Sequence, residues 1–216
     1  MDQKQFCEEH KIYHYEIDGD GRINTSYSVN LSNMNLDIIP FKFGIVNGNF
    51  DISGNNLTDL EGCPDVVSGY FSAANNKLTS LKGCPSEIGN ELYLYQNNLT
   101  NLIEGPEYIG GDYHINNNNL TTLKGCPKSI GGDFYCNKNN LTNIDFIPDI
   151  IKGDFHCRKN PISSMFVYSD SDFIKSFKSY NIVKDNIVDI KRLKYIMSEF
   201  DKPINLEKIK KHYKIK

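Results

Sequence analysis

GGDYHINNNNLTTLKGCPKSI, residues 110–130, runs without a gap into GGDFYCNKNNLTNIDFIPDII, residues 131–151. Both stretches carry an aromatic ring at position 4, Asn at 9, Leu at 11, Pro at 18 and Ile at 21. The same 21-residue frame fits residues 47–67, 68–88 and 89–109, and a further block begins at Lys152. Self-similarity at a short fixed period marks a solenoid, in which each coil buries its apolar face only against its neighbours.

Each slot of the frame has a mechanical meaning. Slot 4 is large and apolar (Phe50, Phe71, Leu92, Tyr113, Phe134, Phe155), and slot 6 is apolar or small (Ile52, Ala73, Leu94, Ile115, Cys136, Cys157). That alternation predicts a short strand over slots 3–7 with slots 4 and 6 pointing inward. Slot 9 is always Asn: Asn55, Asn76, Asn97, Asn118, Asn139 and Asn160. Its amide can bond backbone groups of the adjacent turn, so the column predicts a structural ladder. Leu at slots 11 and 14 fills the core behind the strand. Gly-Cys-Pro then turns the chain back, and a β-branched residue at slot 21 closes the coil. A degenerate block fits residues 26–46, with Val29, Leu31, Leu36, Ile39 and Val46 in slots 4, 6, 11, 14 and 21. Met34 stands in its slot 9, so the ladder is expected to fail there.

The flanks break the frame. Residues 13–17 and 22–24 enclose Asp18-Gly19-Asp20-Gly21, which reads as a hairpin over the first coil. A calcium loop here would require a Glu at its twelfth position, where Val29 stands. After Met165 the spacing becomes helical, with helices predicted over residues 172–180, 189–200 and 206–213. The predicted fold is therefore an α/β-type repeat solenoid, a parallel-strand coil of about seven turns over residues 26–165. Residues 1–25 form an N-terminal hairpin cap and residues 166–216 a basic helical C-terminal cap.

Slots 4, 6, 9 and 11 resemble the L-x-L-x-x-N-x-L core of leucine-rich repeats. The Leu-Thr-x-Leu-x-Gly-Cys-Pro continuation resembles a short-repeat variety found in hypothetical proteins of tailed bacteriophages and giant viruses. The resemblance covers residues 26–165 and implies a leucine-rich-repeat coil that binds a macromolecule, as a phage or viral factor acting on a host or defence protein. The repeats also resemble those of secreted bacterial ubiquitin ligases. Those enzymes place a nucleophilic Cys after the repeats, whereas no Cys follows Cys157 here.

Composition bounds the rest. The 216 residues are 39% hydrophobic and 24% charged, with formal net charge −3. Residues 1–172 hold 12 Lys and Arg against 22 Asp and Glu, a net of −10; residues 173–216 hold 12 against 5, a net of +7. An acidic body and a basic tail bear on partners rather than on fold. No apolar run reaches membrane-spanning length, and the N-terminal residues lack the apolar core of a signal peptide. A cytoplasmic chain, in the host cytoplasm if phage-encoded, is expected. Cys63, Cys84 and Cys126 share slot 17, and Cys136 and Cys157 share slot 6, so they read as small core residues rather than metal ligands. Four Asn-Leu-Thr triplets, at Asn56, Asn98, Asn119 and Asn140, match a glycosylation acceptor but recur because the repeat recurs.

Function is expected on the outward, concave side of the strands. Slot 3 supplies an acidic run, Glu91, Asp112, Asp133 and Asp154; slot 5 supplies Tyr93, His114, Tyr135 and His156; slot 7 supplies Tyr95 and Arg158. Tyr and charged groups in columns suit a protein interface, although slot-3 Asp can also serve the Gly-Gly turn beside it. Seven strands at ~4.8 Å span about 30 Å, enough for ~600–800 Å² per partner. The leading expectation is a protein-binding module. The alternatives are nucleic-acid binding through residues 173–216, where Lys208, Lys210, Lys211, Lys214 and Lys216 cluster, or a virion-associated scaffold. No nucleophile, base and orienting group come together in the pattern, so no enzyme, cofactor or metal is expected.

Overall fold

The computed structural model describes residues 2–165, 168–169 and 171–216, with side chains described for all of these except Tyr168, Ser169 and Ser171. The repeat region is a parallel-strand solenoid. Six complete coils each contribute two strands, and a seventh contributes one before the frame ends.

Slots 4 and 5 build one ladder: Val29–Asn30, Phe50–Asp51, Phe71–Ser72, Leu92–Tyr93, Tyr113–His114, Phe134–Tyr135 and Phe155–His156. Neighbours are parallel with a register of one repeat, as in Phe71↔Leu92 and Ser72↔Tyr93. The hydrogen bonds run past the assigned strands. Phe71 N donates to Glu91 O, Ala73 N to Tyr93 O and Asn75 N to Tyr95 O, at 3.0, 2.9 and 3.0 Å. Tyr168–Ser169 closes this ladder antiparallel to Phe155–His156.

A second ladder, unanticipated from the repeat, runs along slots 20 and 21: Phe43–Val46, Val66–Val67, Glu87–Ile88, Tyr108–Ile109, Ser129–Ile130 and Ile150–Ile151. Slot 21 therefore does more than close the coil. Its two- or three-residue alternation is too short to announce a strand, yet stacking in register lets each coil pair with the next. Gly125, at slot 16 with φ +90°, makes the turn that leads into this strand.

Side chains from both ladders meet inside. Phe50, Phe71, Phe134 and Phe155 are buried in one column, with Leu57, Leu78, Leu99, Leu120 and Leu141 opposite and Ile88, Ile109 and Ile130 from the second ladder. All six cysteines are free. Burial raises the Cys63, Cys126 and Cys136 thiols well above their ordinary range and Cys157 to about 12, which suppresses the thiolate.

The slot-9 column lies inside the same core. Asn118 Oδ1 accepts from Leu99 N at 3.0 Å, and its Nδ2 donates to Leu94 O and Ile115 O at 3.0 and 3.1 Å. Each rung thus ties its own coil to the preceding one. The ladder's first rung is Asn55, in the coil after Met34, yet the degenerate coil is not left out. Asn55 reaches back to it, accepting from Met34 N and Leu36 N and donating to Leu31 O. Met34 need supply nothing, because each rung serves the coil before its own.

At the N-terminal end the hairpin pairs Tyr15–Ile17 with Ile23–Thr25, and the latter joins Phe43–Val46 in parallel. Asp18 accepts from Asp20 N and Arg22 N and pairs with Arg22 at 2.8 Å, and the Arg22 N–H leads in holding its carboxyl at about 2. Helix α1 (Gln3–Glu9), absent from the predicted elements, buries Phe6 against Phe41 at 5.2 Å.

Beyond the coils come a 3-10 turn (Pro161–Ser164) and helices α2 (Ser171–Ser179), α3 (Ile190–Glu199) and α4 (Leu206–Lys210). The predicted boundary at residue 166 lies outside the described residues. The third helix ends before its predicted limit at Tyr213. Tyr213 instead turns into the solenoid, its hydroxyl donating to Thr142 O at 2.7 Å, and Lys214–Ile215 pairs parallel to Ile187–Val188. With Val183–Lys184 these form a three-stranded sheet, so this segment is not purely helical. It shares the solenoid's core through Phe173, Ile174, Phe177, Leu193 and Ile209. No helix among the described residues is long and apolar enough to cross a membrane.

Candidate functional site

The outer face of the slot-4/5 ladder gathers most of the residues singled out from sequence. Because slot 5 repeats in register, its rings stack. Tyr93 lies on His114 with centroids 4.8 Å apart, His114 on Tyr135 at 4.4 Å and Tyr135 on His156 at 4.5 Å, with interplanar angles of 24°, 8° and 4°. Tyr135 separates the two imidazoles, which therefore form no direct pair. At the N-terminal end of the stack, Tyr70 and Tyr95 meet Tyr93 edge-on at 6.0 and 6.3 Å. Tyr70 shares slot 3 with the acids, and its aromatic character was the one available sign that it belongs to this cluster. Ser72 and Ala74, outward in the strand pattern, are nonetheless buried beside these tyrosines.

Slot 3 splits its carboxylate between two tasks. Asp112 Oδ1 accepts from Asp133 N at 2.7 Å, and Asp133 Oδ1 accepts from Asp154 N at 2.8 Å. Asn49 makes the same rung to Tyr70 N at 3.0 Å. A Cβ on Gly132 would collide with Asp112 Oδ1 and one on Gly153 with Asp133 Oδ1, so the bend before Asp133 and Asp154 carries glycine. The second oxygen faces the rings. Asp133 Oδ2 accepts from the Tyr135 hydroxyl at 2.7 Å and lies 3.5 Å from His156 Nε2, while Asp112 Oδ2 lies 3.8 Å from His114 Nε2.

The electrostatics follow from these contacts. The hydrogen bond to Asp133 pushes the Tyr135 hydroxyl up to about 12, so it stays a donor. Burial pulls against ionisation of Asp133, but the Asp154 N–H, the Tyr135 hydroxyl and His156 together hold it below the ordinary carboxylate range. Burial, offset in part by Asp112 and Glu91, lowers His114 and favours its neutral form. Burial, then Glu91 and Asp112, raises Tyr93.

Arg158 is exposed at the C-terminal end of the face, its N–H donating to Asn137 Oδ1 at 2.8 Å. Asp133, Asp154 and His156 each bring one donor atom within 4.8 Å of the others. This is hard-ligand chemistry of the kind that suits divalent cations, although both Asp133 oxygens already accept hydrogen bonds. The cysteine slots hold buried thiols (Cys63, Cys136, Cys157) or half-buried ones (Cys84, Cys126) instead.

Fold and face together define the class: a parallel-strand repeat solenoid with one ordered acidic and aromatic face. Comparison with known proteins finds no match to a family model, a curated protein or a solved structure.

Proposed function

We propose that this chain is a leucine-rich-repeat module that binds a protein through the outer face of the slot-4/5 ladder. The observation that carries the proposal is the four-ring stack of Tyr93, His114, Tyr135 and His156 beside an acidic column pinned to the backbone. Such a face is preordered, so docking loses little side-chain entropy, and tyrosine-rich columns are typical hot-spot material. Glu91, Asp112, Asp133 and Asp154 flank the stack, with Tyr95 at one end and Arg158 at the other. On this reading the face is the concave side of the coil, and the hairpin and the C-terminal segment cap its ends. The resemblance to phage and giant-virus repeats extends the proposal to a factor acting on a host or defence protein in the host cytoplasm.

The test is capture from bacterial lysate, with and without nuclease, by wild type and by a Tyr93→Ala/His114→Ala/Tyr135→Ala variant. A nuclease-resistant protein lost only in the variant, whose melting is unchanged, is the expected result. A nuclease-sensitive product indifferent to the variant would move binding to the C-terminal segment. That second reading rests on Lys184, Arg192, Lys210, Lys211, Lys214 and Lys216, which line two adjoining open depressions there.

A further inference from the structure

Several carboxylates elsewhere in the chain pair with Lys or Arg. Asp18 meets Arg22 at 2.8 Å, Asp65 meets Lys42 at 2.8 Å, Asp149 meets Lys178 at 3.6 Å, and Glu61 pairs with Lys82. The slot-3 column is built differently. Asp112 and Asp133 have imidazoles for ion-pair partners, His114 and His156, and burial holds His114 toward its neutral form. Successive acids stand one coil apart, ~4.8 Å, where like charges repel. They cannot swing away to relieve this, because an oxygen of Asp112 and of Asp133 is held by the next coil's N–H.

The two flanks of the column also differ. On one side stands the wall of ring edges from Tyr93 to His156. On the other, slots 1 and 2 beside Asp112 and Asp133 are Gly110, Gly111, Gly131 and Gly132, so no side chain of their own coils flanks these two carboxylates there, whereas Asn90 and Lys152 flank Glu91 and Asp154. Long basic side chains fit such a surface, since their methylene stems lie on apolar edges while their charged heads reach carboxylates.

Building on the strand-face reading above, we infer that this face takes an extended, arginine- or lysine-bearing segment of a partner protein, whose cations pair with Asp112 and Asp133 beside the ring stack. Nucleic acid, being anionic, is repelled by the same column. The chain's own basic segment is not the occupant, because Tyr213 and Lys178 tie it to Thr142 O and Ile147 O.

The test measures fluorescence anisotropy of a short labelled peptide alternating arginine with serine, against its glutamate counterpart, with the full chain at physiological ionic strength. The informative variant is Asp112→Asn/Asp133→Asn. Asn49 already makes this rung in the native protein, so Asn at either position keeps the bond to the next coil's N–H through its Oδ1 while removing the charge. Wild type should prefer the arginine peptide, and the Asn variant, still unfolding cooperatively, should bind it at least about tenfold more weakly with a shallower salt dependence.

Equal affinity for the two peptides, or full affinity in the Asn variant, overturns the inference. If the Asn variant binds normally while the Tyr93/His114/Tyr135 alanine variant does not, the face is right and its charge preference wrong. If neither variant weakens binding, the peptide sits elsewhere and the strand-face reading fails with it. Sedimentation that shows self-association abolished by the Asn variant would make the occupant a second copy and also overturn the inference.

Discussion

Asn118 and Asp112 lie six residues apart in one coil, and both head a column of short polar side chains that recurs at every turn or nearly so. Their environments give them different duties. Asn118 is 7% exposed and spends its whole amide on three backbone groups of two coils. Asp112 and Asp133, on the outer face, spend one oxygen on the next coil's backbone and turn the other to the rings. A recurring polar residue can therefore be wholly structural or only half so. The difference is read from how many of its acceptor sites the backbone uses.

The comparison can be broken most severely at the buried column. Asn118→Ala strands the buried Leu99 N and removes one of the two donors to each of Leu94 O and Ile115 O, which keep Asn97 and Asn139, and should lower unfolding free energy by about 2–3 kcal/mol; Asp112→Ala, which strands one partly solvated N–H, should cost about 1 kcal/mol. Chemical denaturation of the two variants measures the gap, and equal losses would erase the distinction drawn here.

A smaller effect separates the outer face by pH. Asp133 has its folded pKa depressed, so its contribution is present above the ordinary carboxylate range and is lost as pH falls through the depressed value. His114 is likewise depressed, by burial, so protonation favours the unfolded chain. Stability should begin to fall as pH drops below the ordinary histidine value of about 6.5. Denaturation midpoints followed downward from about pH 7.5 should decline less in His114→Gln than in wild type between neutral pH and the carboxylate range. Parallel curves would mean that the stack does not desolvate His114.

The smallest expected change sits in the core. Tyr113 occupies slot 4, where most coils have Phe, and its buried hydroxyl has no hydrogen-bond partner among the described residues. Tyr113→Phe should be neutral or stabilising by up to about 1 kcal/mol, and a clear loss in thermal melting would reveal a partner for that oxygen.

Much of the coil was legible because its cause is local and repeated. A large residue at slot 4, Asn at slot 9 and Leu at slot 11 meet the same need in every turn, so the need shows as a column in the sequence. Slot 8 shows the converse. Gly54, Asn75, Gln96, Asn117, Lys138 and Lys159 share no chemistry, yet all adopt φ between 53° and 69°. The hydrogen bonds on either side impose that left-handed kink even on residues that resist it, at about 1 kcal/mol or more each. The candidate face was legible as columns of Tyr, His and Asp. The stack was not, since ring overlap depends on the register between coils.

By itself the sequence determined the 21-residue period and the inward columns, because burial acts on each residue according to its own size and polarity. Tertiary structure alone decided the second ladder, the return of Tyr213 to the solenoid and the division of the Asp112 and Asp133 carboxylates between backbone and rings. Those features arise between coils, from contacts whose partners lie 19 to 71 residues away along the chain. No single repeat carries the information to specify them.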